Sequence, residues 1–180
     1  MRMGGFRVIR GKSPDYPMED ENKTSNTLVV GLGNELLSDD GVGIKAARAL
    51  REELQSQADV IECSESGLAL LDLLEGYKRV LLLDAISTAQ HPPGTILEFC
   101  AEDLQRPLAP SPHFMGIPEL VQLAKRLGIP FPEKINILAM EAENLYELGD
   151  KLSAALELAL PKYLQKGIEV VARMNQESKT

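Results

Sequence analysis

Thr27-Leu28-Val29-Val30-Gly31-Leu32-Gly33-Asn34-Glu35-Leu36-Leu37-Ser38-Asp39-Asp40-Gly41-Val42-Gly43 is the stretch on which the fold turns. Its opening residues are apolar and β-prone and are halted by Gly31 and Gly33, which predicts a short buried strand. Val42, Ala46, Ala49, Leu50 and Leu54 then recur at helical spacing, predicting an amphipathic helix to about Gln57. A strand that passes through a glycine loop into a helix is the start of an α/β unit.

The same alternation continues outward. Val60-Ile61 predicts a second strand, Leu68, Leu71 and Leu74 mark one stripe of a short helix, and Arg79 to Leu83 is a fully apolar strand ending at Asp84. Pro92-Pro93-Gly94 is a turn before a strand over Thr95 to Phe99. Pro107, Pro110 and Pro112 put residues 102 to 114 in a long surface loop, the kind of segment that carries function. Leu120, Leu123, Ala124 and Leu127 mark a helix ended by Gly128 and Pro130, and Lys134 to Met140 alternates as a strand. Ser153 is positioned to cap a terminal helix that Pro161 kinks or restarts. The expected fold is a single three-layer α/β/α domain, its mostly parallel, twisted sheet of about five strands flanked by helices. Residues 1–26 read as a flexible tail, 27–174 as the domain and 175–180 as a polar tail.

The chain has 180 residues, 44% of them apolar and 26% charged, enough for one domain with a real core. With 19 Lys and Arg against 27 Asp and Glu the net charge is −8, which argues against a nucleic-acid partner. The longest apolar run, around Val80 to Leu83, is strand-sized, so no membrane insertion is expected. The first twenty-six residues lack an apolar signal region, and Cys63 and Cys100 are too few for a disulfide framework. A cytoplasmic location is the expectation.

In parallel sheets ligands bind beyond the carboxyl ends of the strands, which directs attention to Gly31–Gly43, Asp84 to Ser87 and the loop near His113. The first loop is not a dinucleotide fingerprint: the spacing is not GxGxxG, and Asp39 and Asp40 would repel a diphosphate. Acids in a first helical turn complement the helix dipole, and a pair of acids there also suits a metal or acid–base site; the residues alone leave both readings standing. Glu35 reads as a solvated loop residue. Asp84 stands at the lip of the sheet, one strand away. His113, in Ser111-Pro112-His113, is the better imidazole ligand of the two histidines, since His91 lies in an ordinary turn. Two carboxylates and an imidazole would form an open shell suited to divalent Ni, Zn or Fe. Gly41 and Gly43 would allow close backbone approach at the helix start.

Gly31-Leu32-Gly33-Asn34 through Asp39-Asp40-Gly41-Val42-Gly43, with Leu83-Asp84-Ala85, Pro93-Gly94 and Ser111-Pro112-His113, resembles the [NiFe]-hydrogenase maturation endopeptidases over roughly residues 27 to 170. The resemblance implies a protease that removes a C-terminal extension from the precursor of the hydrogenase large subunit after nickel insertion. It implies metal-binding positions at Asp40, Asp84 and His113, with the nickel (Ni2+) supplied by the substrate. Asp39, Asp40 and Asp84 are the candidate catalytic carboxylates, Asp39 or Asp84 being the favoured base, with polarisation by the nickel as the competing account. Where many members carry Asp-Gly-Gly-Thr after the second strand, this chain has Glu62-Cys63-Ser64-Glu65-Ser66-Gly67. Two other classes are weighed. A non-catalytic nickel-binding maturation chaperone would use the same three ligands. A peptidyl-tRNA hydrolase shares Gly-Leu-Gly-Asn, but it expects an early histidine and a basic face that this chain lacks.

Overall fold

A computed structural model describes residues 23–100 and 116–177. The stretch from Thr27 to Leu32 forms β1, a 3-10 turn follows at Ser38–Gly41, and α1 runs Val42–Leu54. Next come β2 (Asp59–Cys63), α2 (Ala69–Leu74), β3 (Arg79–Ile86) and β4 (Ile96–Cys100). The chain then continues through α3 (Ile117–Leu127), β5 (Lys134–Glu141) and α4 (Ala154–Gln176).

These residues build a five-stranded sheet in the order β2-β1-β3-β5-β4. All pairings are parallel except β4 with β5, which is antiparallel. The central strands β1 and β3 are buried on both faces, as the continuous apolar runs require. Alternate residues then feed two separate cores. Val29, Leu81, Leu83, Ala85, Leu138 and Met140 pack against α1 and α4. Leu28, Val30, Val80, Leu82, Ile86 and Ile137 pack against α2 and α3. The result is the expected three-layer α/β/α sandwich. Among the described residues no helix is long and apolar enough to cross a membrane.

Several boundaries differ from the sequence reading. Asp84 does not end its strand: β3 continues to Ile86, and Asp84 is in register with Ala139 of β5. On α1 the buried stripe runs through Ile44 and Ala47, whereas Ala49 is exposed. Helix α4 passes through Pro161 without restarting. Ser153 occupies the N-cap, but its side chain makes no capping bond. Residues 1–22, 101–115 and 178–180 lie outside the described residues, and with them most of both expected tails, the loop over 102 to 114 and His113. The parts of the expected tails that are described are held in place. Thr24 and Ser25 donate to Asp59, and Asn26 accepts from the amides of Lys78 and Arg79. Asn175 lies in α4 and donates to the Gln57 carbonyl.

Candidate active site

The start of α1 is pressed against the sheet at its carboxyl edge, and Gly43 makes this possible. A β-carbon there would lie 2.2 Å from the Leu83 carbonyl oxygen and 2.3 Å from that of Leu32, so no other residue fits without moving a strand. Gly33 has φ +136°, and a β-carbon on it would lie 1.9 Å from the Asp40 carbonyl oxygen. Gly41 is less crowded, at 3.1 Å from the Glu35 α-carbon. The glycine pattern therefore lays the turn carrying Asp39 and Asp40 against β3, where Asp84 sits.

All three aspartates are buried: Asp39 and Asp84 are 0% exposed and Asp40 2%. Their surroundings assign them different work. Asp40 accepts the Asn34 amide at 2.8 Å, which closes the glycine loop over it. Asp84 accepts the Ala85 amide on Oδ1 at 2.8 Å, which fixes the rotation of its carboxylate. Leu82 and Ile86 face α2 and α3, so the strand's alternation sends the Asp84 side chain to that same side. That side also holds α3, whose chain follows directly on residues 101–115 and so on His113.

Asp39 points elsewhere. Its Oδ2 accepts the amides of Glu143 (3.0 Å) and Asn144 (3.2 Å), and its Oδ1 accepts the Ser153 amide at 2.7 Å. This carboxylate ties the first loop to the segment joining β5 to α4. These partners lie more than a hundred positions away in the chain, so the sequence alone does not show them. Separation in the chain also hid Glu141, whose partners lie 52 and 53 positions away. That buried carboxylate accepts the amides of Thr88 (2.7 Å) and Ala89 (2.9 Å) and the Thr88 hydroxyl (2.7 Å), holding the chain beyond β3. Ala89 has φ +55°, a turn that this anchor stabilises. Glu35 is no idle loop residue either. Arg48 donates to both its oxygens at 2.9 and 2.7 Å, and that pairing lowers the Glu35 pKa below its ordinary value.

Among the described residues no three His, Cys, Asp or Glu side chains gather as a metal site. Asp40 and Asp84 stand at the same edge, and the third ligand implied by the resemblance, His113, lies outside the described residues.

A family model described as hydrogenase maturation protease matches residues 44–170. The chain belongs to the hydrogenase maturation protease family. The matched stretch includes Asp84 and begins after Asp39 and Asp40. The hydrogenase 2 maturation protease of Escherichia coli K12 is 26% identical over 157 residues, covering 81% of this chain and 95% of that protein. The hydrogenase expression/formation protein HupD of Thiocapsa roseopersicina is 28% identical over 164 residues, 84% of this chain and 72% of its own. Among solved structures, the [NiFe] hydrogenase maturation protease HybD of Thermococcus kodakarensis superposes with a TM-score of 0.65 at 28% identity, covering 81% of this chain and 98% of that one. The endopeptidase HybD of Escherichia coli gives 0.69 at 23% identity over 82% and 93% of the two chains, a likeness of fold. As a member of the hydrogenase maturation proteases, the chain is a hydrolase of peptide bonds.

Proposed function

We propose that this maturation protease removes the C-terminal extension of a [NiFe]-hydrogenase large-subunit precursor once nickel is in place, recognising the nickel that the precursor carries. The observation that carries this reading is the pair of buried carboxylates, Asp40 and Asp84, held by two neighbouring segments at one edge of the sheet. A divalent cation suits such oxygen donors, and an imidazole from His113 would complete a mixed set fit for nickel. Carboxylates surrounded by little water attract a cation more strongly than exposed ones do. A precursor without nickel would lack that contact, which makes cleavage conditional on metal insertion.

Asp84 is the carboxylate we assign to activating water, giving an aspartic-type hydrolysis. Asp39 is the weaker candidate for that base, since three main-chain amides already occupy its oxygens. Asp40 contributes to seating the metal. Nickel held by the precursor would bring the scissile bond to the edge that carries Asp40 and Asp84, and polarisation by that metal would be the competing way to activate water. The rim also offers apolar side chains to a protein substrate: Leu36 is 68% exposed and Leu148 82%, and the bridge between Leu37 and Gly149 places those two side by side.

The test is incubation of the purified protein with nickel-loaded and nickel-free precursor, followed by mass spectrometry of the large subunit. The wild type is expected to shorten the loaded precursor and leave the nickel-free one intact. Asp84→Asn and His113→Ala are expected to keep the wild-type circular dichroism spectrum and to lose cleavage. Normal processing by both variants overturns the assignment, and an intact precursor that has exchanged metal with the protein points to the chaperone.

A further inference from the structure

Tyr163 rises from α4 into the core layer between α4 and the sheet and is wholly buried. Its hydroxyl meets the sheet's main chain where β3 and β5 pair. It accepts the Asp84 amide at 3.1 Å, donates to the Leu138 carbonyl at 2.6 Å and lies 3.3 Å from the Asp84 carbonyl oxygen. A phenol has one proton, and the shortest contact takes it, so the hydroxyl relays a rung between an amide of β3 and a carbonyl of β5. The residue at that rung carries the carboxylate assigned above to water activation.

We infer that Tyr163 is a positioning residue for Asp84, gripping from the α4 side of the sheet the backbone whose carboxylate projects on the α3 side. The inference rests on the catalytic reading of Asp84. Tyr163 then holds the Asp84 amide, while the Ala85 amide holds its carboxylate. The hydroxyl is suited to the task because a phenol can accept the Asp84 amide and donate to the Leu138 carbonyl at once. Without it, the Asp84 amide and the Leu138 carbonyl lose a shared partner in a dry layer and must settle closer together. That shift moves the carboxylate. Tyr163 does not reach the substrate side, so its effect passes through Asp84.

Tyr163→Phe keeps the ring, and therefore the packing, while removing the relay. It is compared with wild type, with Asp84→Asn and with Val170→Ala, a truncation in the same core layer that leaves the rung intact. Cleavage of nickel-loaded precursor gives kcat and KM, and thermal melting gives the loss of stability. A misplacement of about 1 Å costs about 100-fold, so Tyr163→Phe, which shifts the carboxylate by less, is expected to lower kcat by about 10-fold or more with KM unchanged within about twofold. Val170→Ala is expected to melt earlier at near wild-type kcat, and 3-fluorotyrosine placed at position 163, which keeps the hydroxyl, to restore the rate. If Asp84→Asn cleaves like the wild type, the catalytic reading falls and takes this inference with it. If Asp84→Asn is inactive while Tyr163→Phe keeps the wild-type kcat, or Val170→Ala loses as much, the positioning role alone is overturned.

Discussion

The carboxylate of Asp39 accepts three backbone amides from Glu143, Asn144 and Ser153 without being exposed to water. A charged acceptor strengthens each of these bonds, and removing it leaves three donors to find new partners in a partly buried setting. Asp39→Ala is expected to lower the unfolding free energy by about 3 kcal/mol, read from the shift in urea midpoint at constant slope. Asp39→Asn, which keeps an acceptor oxygen, should lose clearly less. A loss below about 1 kcal/mol for the alanine variant would contradict the anchoring role. Loss of cleavage by Asp39→Asn at unchanged stability would favour Asp39 as the catalytic base. The place of adjacent Asp40 at the carboxyl edge was legible, because a buried strand that runs into a glycine loop ends there. The backbone bonds of Asp39 were not, since nothing local distinguishes two neighbouring aspartates.

Helix α1 is joined to the first loop and to β2 by a surface network. Arg48 pairs with Glu35 at 2.7 Å and Glu62 at 2.5 Å, and Arg51 pairs with Glu62 at 2.7 Å. The arginines are more than half exposed, so solvent screens the network, and Arg48→Met is expected to cost only about 0.5–1 kcal/mol at neutral pH. The sign of its pH dependence follows from Glu35, whose pKa Arg48 lowers from the ordinary 4.5. A lowered carboxylate contributes stability above its unfolded value and loses it as pH falls through the folded one. The gap between wild type and Arg48→Met in urea titrations should therefore be widest near neutrality and shrink below pH 4.5. An equal gap at pH 3 and pH 7 would show that packing of the arginine stem, not charge, is what the substitution removes. Elements of this kind were readable in part. Continuous apolar runs announced β1 and β3, but they could not say that Asp84 sits inside its strand. A buried aspartate looks like a strand end unless its pairing with Ala139 is known. Ala49 fell into the predicted stripe because alanine fits either face. Pro161 looked like a break because its cost is local, whereas the burial of Leu156, Tyr163, Val170 and Val171 on both sides of it is tertiary.

The molecule as a whole separates its two ends. Asp40 and Asp84 stand at the carboxyl edge of the parallel strands, as the rule for such sheets foretells from sequence alone. The contacts that hold the opposite edge were invisible there, because they join residues distant in the chain. At that amino-terminal edge the Thr27 hydroxyl donates to Asn175 at 2.6 Å and accepts from Arg79 at 2.9 Å. The Asp59 carboxylate takes up the Thr24 hydroxyl, the amides of Thr24 and Ser25 and the Tyr77 hydroxyl. Lys23 donates to the Glu75 carbonyl at 2.7 Å and lies 4.9 Å from the centre of the Tyr77 ring. Residues 23–26 thus bond to the domain, although the proline, glycine and charge of the residues before them made the whole stretch read as tail. Two truncated chains test this, one beginning at Lys23 and the other at Thr27. Several partly exposed hydrogen bonds at about 1 kcal/mol each, discounted for non-additivity, make the shorter chain less stable by about 2–4 kcal/mol. At about 2–4 °C per kcal/mol for a chain of this size, its melting temperature should fall by roughly 4 to 16 °C relative to the longer one. Because the lost contacts sit at the edge away from Asp40 and Asp84, kcat on nickel-loaded precursor should be the same for both chains at a temperature where both are folded. A melting difference under about 2 °C would put residues 23–26 back into the tail, and a kcat that falls with the melting temperature would mean that the two edges are mechanically coupled.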